Sequence, residues 1–334
     1  MSALVEVHDL AKTFDVSAPW LNRVVERKPR QFVHAVDGVS FSIERGKTLA
    51  LVGESGCGKS TVARLLVGLY PPSQGRVSFD GADTATAFRS PQARAMRKRM
   101  QMIFQDPYAS LNPRWKVADI VGEPLKEHGL IGHSGDPKRE SKERVVELLQ
   151  SVGLAAADVE KFPHQFSGGQ RQRISIARAL ATQPEFLVCD EPTSALDVSV
   201  QAQVLNIMKD LQRQRGLTYL FISHNLAVVR HVSDQVGVMY LGRVVELADK
   251  ADLFARPRHP YTRMLLDAIP DIHMSGRART PVQGEVPNPL SPPSGCSFHP
   301  RCPHANERCE QERPPLAMFG GALIACHAVS EGRI

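Results

Sequence analysis

Residues 53–60 read Gly-Glu-Ser-Gly-Cys-Gly-Lys-Ser, and this stretch limits the fold more than any other in the chain. An apolar run typical of a buried strand precedes it, and an amphipathic helical pattern follows it. Glycines let such a loop close around phosphate oxygens, because successive backbone N–H groups and the helix N-terminus then point at the anion. The sequence therefore predicts a P-loop, with Lys59 on the β- and γ-phosphates and the Ser60 hydroxyl on Mg²⁺. The residues expected to bind the nucleotide here are Gly53, Ser55, Gly56, Cys57, Gly58, Lys59, Ser60 and Thr61.

Composition excludes several classes of protein. The 334 residues are 42% hydrophobic and 23% charged, which is ordinary for a globular protein. No apolar run is long enough for a transmembrane helix, and residues 1–9 lack the pattern of a signal peptide. We therefore expect a cytoplasmic protein. The net charge of +6 suits several anionic ligands, but no basic block with interleaved aromatics points to nucleic acid as a partner.

Polar side chains end three further predicted strands. Gln105 ends one strand, Asp190 and Glu191 end an apolar strand, and His224 follows another. Ligands of open α/β sheets bind where strands end, so these side chains should meet at the nucleotide. Gln105 could bind Mg²⁺ or the attacking water, Asp190 has the chemistry to hold Mg²⁺, and Glu191 is placed as a general base. For His224 we favour a γ-phosphate contact over a structural role.

The region before the P-loop predicts an antiparallel β-layer. Residues 3–10 alternate like a half-buried strand, and residues 35–43 form a further strand region. Residues 16–33 are rich in Arg and Pro and read as an extended loop. Phe14 is a candidate to stack on adenine, and a core position at a strand end is about equally compatible with the sequence.

Residues 107–170 predict a helical subdomain inserted in the sheet domain, because proline-containing loops separate helical patterns there. The stretch ends in Ser167, Gly168, Gly169 and Gln170, directly before another helix. Serine is a preferred N-cap residue, and the two glycines allow close approach of a ligand. This is a second helix N-terminus suited to phosphate.

Together these motifs resemble the ATP-binding subunit of ABC transporters over residues 3–250. The stretch Phe-Ser-Gly-Gly-Gln-Arg at residues 166–171 is the signature motif and is the most diagnostic of them, since many NTPases share a P-loop. The resemblance implies that two ATPase subunits pair head to tail, with each ATP between one P-loop and the partner's signature. By that resemblance Ser167, Gly168, Gly169 and Gln170 contact the partner's nucleotide, and Asp197 lies at the dimer junction.

The same resemblance implies roles for the residues at the strand ends. Glu191 would be the catalytic carboxylate, Gln105 the Q-loop glutamine and His224 the switch histidine. ATP and Mg²⁺ are the implied substrate and cofactor. Phe14 stands where the family often has tyrosine. The phenylalanine ring can still stack on adenine, so the implied role is unchanged.

Longer stretches narrow the resemblance to bacterial dipeptide/oligopeptide importers, at residues 106–114, 194–206 and 257–262. Residues 56–58 and 239–242 look more like the F-type of the two different ATPases in that system. The resemblance implies a heterodimer with a D-type ATPase, two membrane permeases and, indirectly, a periplasmic peptide-binding protein. The chain would then lie peripherally on the cytoplasmic face of the bacterial inner membrane.

Alternatives to peptide uptake remain open at the level of the sequence. Nickel chelates, glutathione and other small solutes are handled by similar ATPases, because the binding protein and permeases select the solute. A soluble ABC-type ATPase acting on nucleic acid or ribosomes is a less favoured alternative. Such proteins usually carry two ATPase domains or a long coiled-coil insertion, and neither feature is in this sequence.

Four cysteines gather near the C-terminus, after a Pro-rich polar stretch at residues 270–295 that reads as a linker. In a cytosolic chain, clustered cysteines suggest metal ligation rather than disulfides. Four thiolates could hold Zn²⁺ or a [4Fe–4S] cluster. Structural zinc sites usually contain a closely spaced pair of cysteines, and this stretch has no such pair. A Cys-Pro dipeptide favours iron–sulfur ligation. The importer family has a similar extension that carries a cluster in some members. We therefore expect a structural [4Fe–4S] cluster, or alternatively Zn²⁺, on Cys296, Cys302, Cys309 and Cys326.

The predicted fold is α/β, of the P-loop NTPase class, with a RecA-like core, an antiparallel β-layer and the inserted helical subdomain. The predicted domains are an ABC ATPase domain at 1–250, with its helical subdomain at about 107–170, and a C-terminal extension at 251–334. The extension contains the linker and the four-cysteine site.

Overall fold

A computed structural model describes residues 2–26, 29–87, 90–132, 136–268 and 284–334. Its strands are β1 Ala3–Asp15, β2 Phe32–Glu44, β3 Thr48–Val52, β4 Gln74–Phe79, β5 Ala82–Asp83, β6 Met100–Ile103, β7 Phe186–Asp190, β8 Thr218–Ile222, β9 Gln235–Tyr240, β10 Arg243–Asp249, β11 Ala317–Phe319 and β12 Ala322–Ile324. Its α-helices are α1 Trp20–Glu26, α2 Lys59–Leu66, α3 Thr84–Ala87, α4 Ala93–Arg99, α5 Pro107–Ser110, α6 Val117–Glu127, α7 Pro137–Ser151, α8 Gly168–Leu180, α9 Val198–Arg215, α10 Leu226–Val232, α11 Lys250–Ala255, α12 Pro260–Asp267, α13 Glu307–Gln311 and α14 His327–Ser330.

The central sheet has the strand order β11-β12-β10-β9-β3-β8-β7-β6. Strands β9, β3, β8, β7 and β6 run parallel to one another, and β10 is antiparallel to β9. Every residue of β3, β7 and β8 is buried, because helices or the second sheet cover both faces. The carboxyl ends of β3, β6, β7 and β8 consequently meet at one edge of the sheet. This confirms the predicted P-loop NTPase core.

The predicted antiparallel β-layer is a separate sheet with the order β2-β1-β4-β5. Apolar side chains of both sheets, among them Leu4, Val7 and Leu49, form one buried cluster between the layers. The prediction of an extended loop at residues 16–33 is wrong over Trp20–Glu26, which is helical. This short helix lies between two strands whose pairing brings its ends together.

Helices α5 to α8 form the inserted helical part of the fold. Val121 of α6, Val145 of α7 and Ile174 of α8 belong to one buried cluster that continues to the central sheet. Asp136 caps α7 by accepting hydrogen bonds from the backbone N–H groups of two residues in its first turn. The subdomain is therefore packed on the sheet through side chains and not only tethered at its ends.

The C-terminal region extends the central sheet, which the sequence did not indicate. Strand β12 pairs antiparallel with β10, and β11 pairs with β12. Phe298, Ile324, Tyr240 and Tyr261 share a third buried cluster on this side. The division into domains at residue 250 stays a prediction, and most of the predicted linker, residues 270–283, lies outside the described residues. Within the described ranges, no helix combines the length and apolar character needed to span a bilayer.

Candidate functional site

A cavity of about 810 Å³ opens at the edge of the central sheet where the parallel strands end. That volume is within the range of small-molecule and cofactor sites. Most of the predicted phosphate-binding and strand-end residues are brought together there, whereas Gly53, Cys57 and Asp190 are not among the lining residues. Those that line the cavity are Ser55, Gly56, Gly58, Lys59, Ser60, Thr61, Gln105, Glu191 and His224.

The loop at residues 53–60 connects the buried strand β3 to helix α2. Helix α2 begins at Lys59, and its N-cap residue Gly58 has a left-handed backbone with φ of 103°. Glycine has no side-chain oxygen that could cap the helix, so the first N–H groups of α2 are available to a ligand at the cavity. The helix N-terminus and these donors together form an anion site.

The ammonium of Lys59 lies across the loop. Its Nζ donates hydrogen bonds to the carbonyl oxygens of Gly53 at 2.8 Å and Glu54 at 2.9 Å. Cys57 lies beneath it, with Sγ 3.6 Å from Nζ. Burial raises the pKa of the Cys57 thiol, and Lys59 opposes that shift. Cys57 is therefore a neutral packing residue of the loop.

Two oxygen ligands for a hard cation, from Ser60 in the P-loop and Asp190 at the end of β7, lie within hydrogen-bond distance of each other. The Ser60 hydroxyl donates to Oδ1 of Asp190 at 2.8 Å. Burial raises the pKa of Asp190, and the hydrogen bond from Ser60 lowers it. Hydroxyl, carboxylate and amide oxygens are the ligands that Mg²⁺ takes in nucleotide sites. The chemistry of Ser60, Asp190 and Gln105 thus fits the predicted Mg²⁺.

Glu191 lies at the centre of a cluster of polar side chains from three strand ends. Its Oε2 accepts a hydrogen bond from Nε2 of Gln105 at 3.2 Å and lies 3.0 Å from Nδ1 of His224. The Glu191 side chain is 15% exposed and that of His224 58%. Glu191 has φ of 45°, a left-handed backbone that costs a non-glycine residue free energy. The end of strand β7 therefore places this carboxylate at the cavity, and the left-handed backbone of Glu191 makes that placement energetically costly.

The signature residues lie away from this chain's cavity. Ser167 is the N-cap of α8 and forms a capping box with Gln170: each side chain accepts a hydrogen bond from the other residue's backbone N–H. A Cβ on Gly169 would lie 2.2 Å from Cγ1 of Val200, so glycine lets α8 approach α9. Asp197 caps α9 by accepting from the N–H of Val200 at 2.9 Å. Among the described residues that line the cavity, none is Ser167, Gly168, Gly169, Gln170 or Asp197.

Phe14 is not brought into the cavity either. Its ring meets that of Tyr70 edge-on, with centroids 5.5 Å apart, and Lys12 Nζ lies 5.2 Å from the Phe14 centroid. Its partner across the strand pair, Val33, does line the cavity. The role of Phe14 in adenine stacking therefore stays a prediction.

Sequence reasoning missed the contribution of the C-terminal region to this site. Pro289, Pro292, Ser297 and Arg313 line the cavity together with the P-loop. Arg301 forms an ion pair with Glu54 inside the P-loop, across 247 positions of sequence. No local pattern in the sequence signals a pair at such a separation.

The four C-terminal cysteines are all free thiols in one region of the fold. Backbone N–H of Cys296 donates to the carbonyl of Cys309 at 2.8 Å. Burial raises the pKa of Cys296 to about 11, and the nearby Cys326, Cys309 and Cys302 add to that shift. In the described part of the chain, however, no three His, Cys, Asp or Glu side chains are arranged to hold a metal ion. As placed, the thiols are neighbours but not a closed ligand set.

Comparison with known proteins decides the family. Residues 36–194 match the family model for ABC transporters, and residues 245–309 match that for the oligopeptide/dipeptide transporter C-terminal region. The chain is 47% identical, over 98% of both proteins, to the oligopeptide transport ATP-binding protein AppF of Bacillus subtilis. It belongs to the ATP-binding subunits of the oligopeptide/dipeptide ABC transporter family. Such an ATPase subunit uses ATP and Mg²⁺, which confirms both predictions.

Further relatives agree with this assignment of the ATPase subunit. The dipeptide transport ATP-binding protein DppF of Escherichia coli is 50% identical over 91% of this chain and 89% of that protein. Among solved structures, the dimeric post-hydrolysis state of the ATP-binding cassette MJ0796, bound to ADP and Pi, superimposes with a TM-score of 0.63 and 26% identity. That match covers 74% of this chain and 98% of the cassette.

Proposed function

We propose that this subunit hydrolyses ATP with Glu191 as the general base and that hydrolysis powers uptake of di- or oligopeptides. The observation that carries the catalytic assignment is the position of the Glu191 carboxylate. Gln105 and His224 hold its Oε2 in the same cavity as Lys59 and Ser60. A carboxylate so placed accepts a proton from water as the water attacks the γ-phosphorus and ADP leaves.

The remaining residues of the cavity bind and orient the substrate. Lys59 and the N–H groups at the start of α2 neutralise the phosphates, and Ser60, Asp190 and Gln105 hold Mg²⁺. When bound, Mg²⁺ neutralises developing charge on the phosphate oxygens. His224 is a hydrogen-bonding group for the γ-phosphate, and its contact with Glu191 links phosphate binding to the base.

A second ATPase subunit completes the site. Ser167, Gly168, Gly169 and Gln170 form a helix N-terminus that does not line this chain's own cavity. In our proposal they cover the nucleotide of a D-type partner, with Asp197 at the junction and Phe14 beside the adenine. The partner's signature covers the P-loop of this chain in return.

The transported solute is assigned from the relatives. Proteins 47–50% identical to this chain are named oligopeptide or dipeptide transport ATP-binding proteins, and the C-terminal match carries the same description. The proposed assembly contains the ATPase pair, two membrane permeases and a periplasmic peptide-binding protein. The subunit then lies on the cytoplasmic face of the inner membrane, and nucleic acid is not a partner.

Reconstitution tests this proposal. The ATPase pair is assembled with its two permeases in proteoliposomes, and hydrolysis is measured with the binding protein loaded with a dipeptide, a longer peptide, a nickel chelate or glutathione. Stimulation by a peptide supports the proposal, and stimulation by only a nickel chelate or glutathione replaces the solute while keeping the transport role. Stimulation by DNA, RNA or ribosomes, with no response to any loaded binding protein, overturns it.

We also propose that Cys296, Cys302, Cys309 and Cys326 bind a [4Fe–4S] cluster, with Zn²⁺ as the alternative. Four free thiols in one region of the fold support this, although their side chains must converge to become ligands. Iron, sulfide and zinc are measured on protein purified without oxygen. We expect about four iron and four sulfide per chain, lost in Cys302→Ser and kept in the control Cys57→Ser. One zinc per chain selects the alternative, and protein without metal overturns both.

A further inference from the structure

Within the P-loop, the backbone N–H, the carbonyl and the carboxylate of Glu54 all form hydrogen bonds with neighbouring residues. Its backbone N–H donates to the Tyr261 hydroxyl at 2.9 Å, and its carbonyl accepts from Nζ of Lys59 at 2.9 Å. Its carboxylate accepts two hydrogen bonds from Arg301, at 2.7 and 3.0 Å. Two of these three partners, Tyr261 and Arg301, come from the C-terminal region.

The pair between Arg301 and Glu54 is built for fixed geometry. The two parallel N–H···O bonds make it bidentate, which adds orientation to attraction. The Arg301 side chain is 2% exposed and that of Glu54 24%. The hydrogen bonds to Glu54 raise the pKa of Arg301, so the guanidinium stays charged. An arginine buried in this way depends on its carboxylate partner.

Aromatic side chains hold Arg301 and Tyr261 in place. The Arg301 guanidinium carbon lies 5.7 Å from the Tyr240 ring centroid and 5.9 Å from that of Phe298. The ring of Tyr261 packs against that of Tyr240 with centroids 4.7 Å apart and planes tilted by 58°, and Tyr261 is fully buried. Tyr240 ends strand β9 of the ATPase sheet, whereas Phe298 belongs to the C-terminal region. Arg301 and Tyr261, the two C-terminal partners of Glu54, are therefore set in a common aromatic cluster.

We propose that Arg301 and Tyr261 are positioning residues that hold the P-loop in its ATP-binding geometry through Glu54. The C-terminal region is then part of the nucleotide site. The contacts of Arg301 and Tyr261 with Glu54 affect the position of Lys59, because Lys59 Nζ donates to the Glu54 carbonyl. Because Arg301 directly precedes Cys302 and lies close to Phe298, a change in packing of the four-cysteine region reaches the P-loop. This last step rests on the proposed function of the cysteines, whereas the positioning role does not.

Nucleotide affinity of the full-length chain tests the positioning role. A fluorescent ATP analogue with Mg²⁺ is titrated into wild type, Arg301→Met, Arg301→Lys and Tyr261→Phe, and unfolding is measured in parallel without nucleotide. We expect about tenfold weaker binding for Arg301→Met, partial recovery for Arg301→Lys, and a smaller loss for Tyr261→Phe, which keeps the ring. The matched control is Arg308→Met. Arg308 lies in the same region but pairs with Glu312 and Glu331, and its loss should leave affinity unchanged.

A double-mutant cycle separates positioning from general stability. Glu54→Gln should weaken binding in wild type but add little in the Arg301→Met background, because the interaction is already lost. Wild-type affinity in both Arg301→Met and Tyr261→Phe overturns the proposal, as does full additivity of Glu54→Gln and Arg301→Met. If Arg301→Met does not fold, Tyr261→Phe and Arg301→Lys decide by the same criterion. Failure of peptide transport in proteoliposomes would overturn the proposed function without changing these affinities.

Discussion

Replacing Gly58 by alanine tests whether the P-loop depends on close approach of backbone. A Cβ at this residue would lie 2.1 Å from the carbonyl oxygen of Ala35 on strand β2. No flexible side chain is involved, so either the loop or β2 must move. Gly56 is a matched control in the same loop: it also has positive φ, at 79°, but a Cβ there meets no atom within 4 Å.

The two substitutions share one cost and differ in another. A left-handed backbone costs an L-residue about 1–2 kcal/mol, which applies to Gly56→Ala and Gly58→Ala alike. Only Gly58→Ala adds displacement of backbone, and overpacking of this kind costs about 1–3 kcal/mol more. We therefore expect a loss of unfolding free energy of about 1–2 kcal/mol for Gly56→Ala and about 2–5 kcal/mol for Gly58→Ala.

Urea unfolding of the full chain without nucleotide measures this difference. Omitting the nucleotide matters because both glycines line the cavity, so ligand contacts would mix with stability. The midpoint of Gly58→Ala should fall clearly below that of Gly56→Ala at an unchanged slope. Equal midpoints would refute the close contact between residue 58 and strand β2.

Two other substitutions test packing and acid response. Gly169→Ala should destabilise the chain by about 1–2 kcal/mol, because the added Cβ meets the side chain of Val200. Adding Val200→Ala to this variant should restore the thermal midpoint. Destabilisation that persists in the double variant contradicts the contact. Burial lowers the pKa of His259 to about 3 in the folded chain, whereas histidine in the unfolded chain has a pKa near 6.5. Between these two pKa values the unfolded chain binds more protons than the folded chain. The free energy of unfolding therefore falls as the pH drops from about 6.5 toward 3. From pH 7 to pH 5 wild type should lose about 2 kcal/mol relative to His259→Asn. Asparagine replaces the Nδ1 of His259, which accepts from the Tyr261 N–H, with an N-cap oxygen. Parallel pH profiles of the two proteins would contradict this.

The sequence was sufficient to predict that certain residues at the ends of parallel strands lie close together in the fold. Gln105, Glu191 and His224 each follow a short apolar run, and parallel strands of an α/β sheet end at one edge. Their hydrogen-bonded cluster is what that rule predicts. The sequence could not reveal that Glu191 has positive φ, because local strain depends on packing around the strand end.

Contacts made by the C-terminal region could not be predicted in the same way. Strands β11 and β12 have only three residues each, too few for a pattern of alternation. The place of β12 beside β10, with β11 beside β12, depends on the free edge that the ATPase sheet offers. The pair of Arg301 with Glu54 likewise depends on the tertiary fold, since the two residues are 247 positions apart. The ring of Phe14 packs edge-on against Tyr70, a contact that the sequence did not indicate, and its role in adenine stacking stays a prediction.

ATP turnover by the Glu191→Gln variant tests the central claim most directly. Wild type and variant are compared in the assembled transporter, with peptide-loaded binding protein, and ATP binding is measured on the same samples. Glutamine keeps the size of the side chain and its hydrogen-bonding partners but cannot accept a proton. We predict unchanged ATP affinity and a turnover at least about 100-fold lower. Turnover equal to wild type in Glu191→Gln would contradict the assignment of Glu191 as the base.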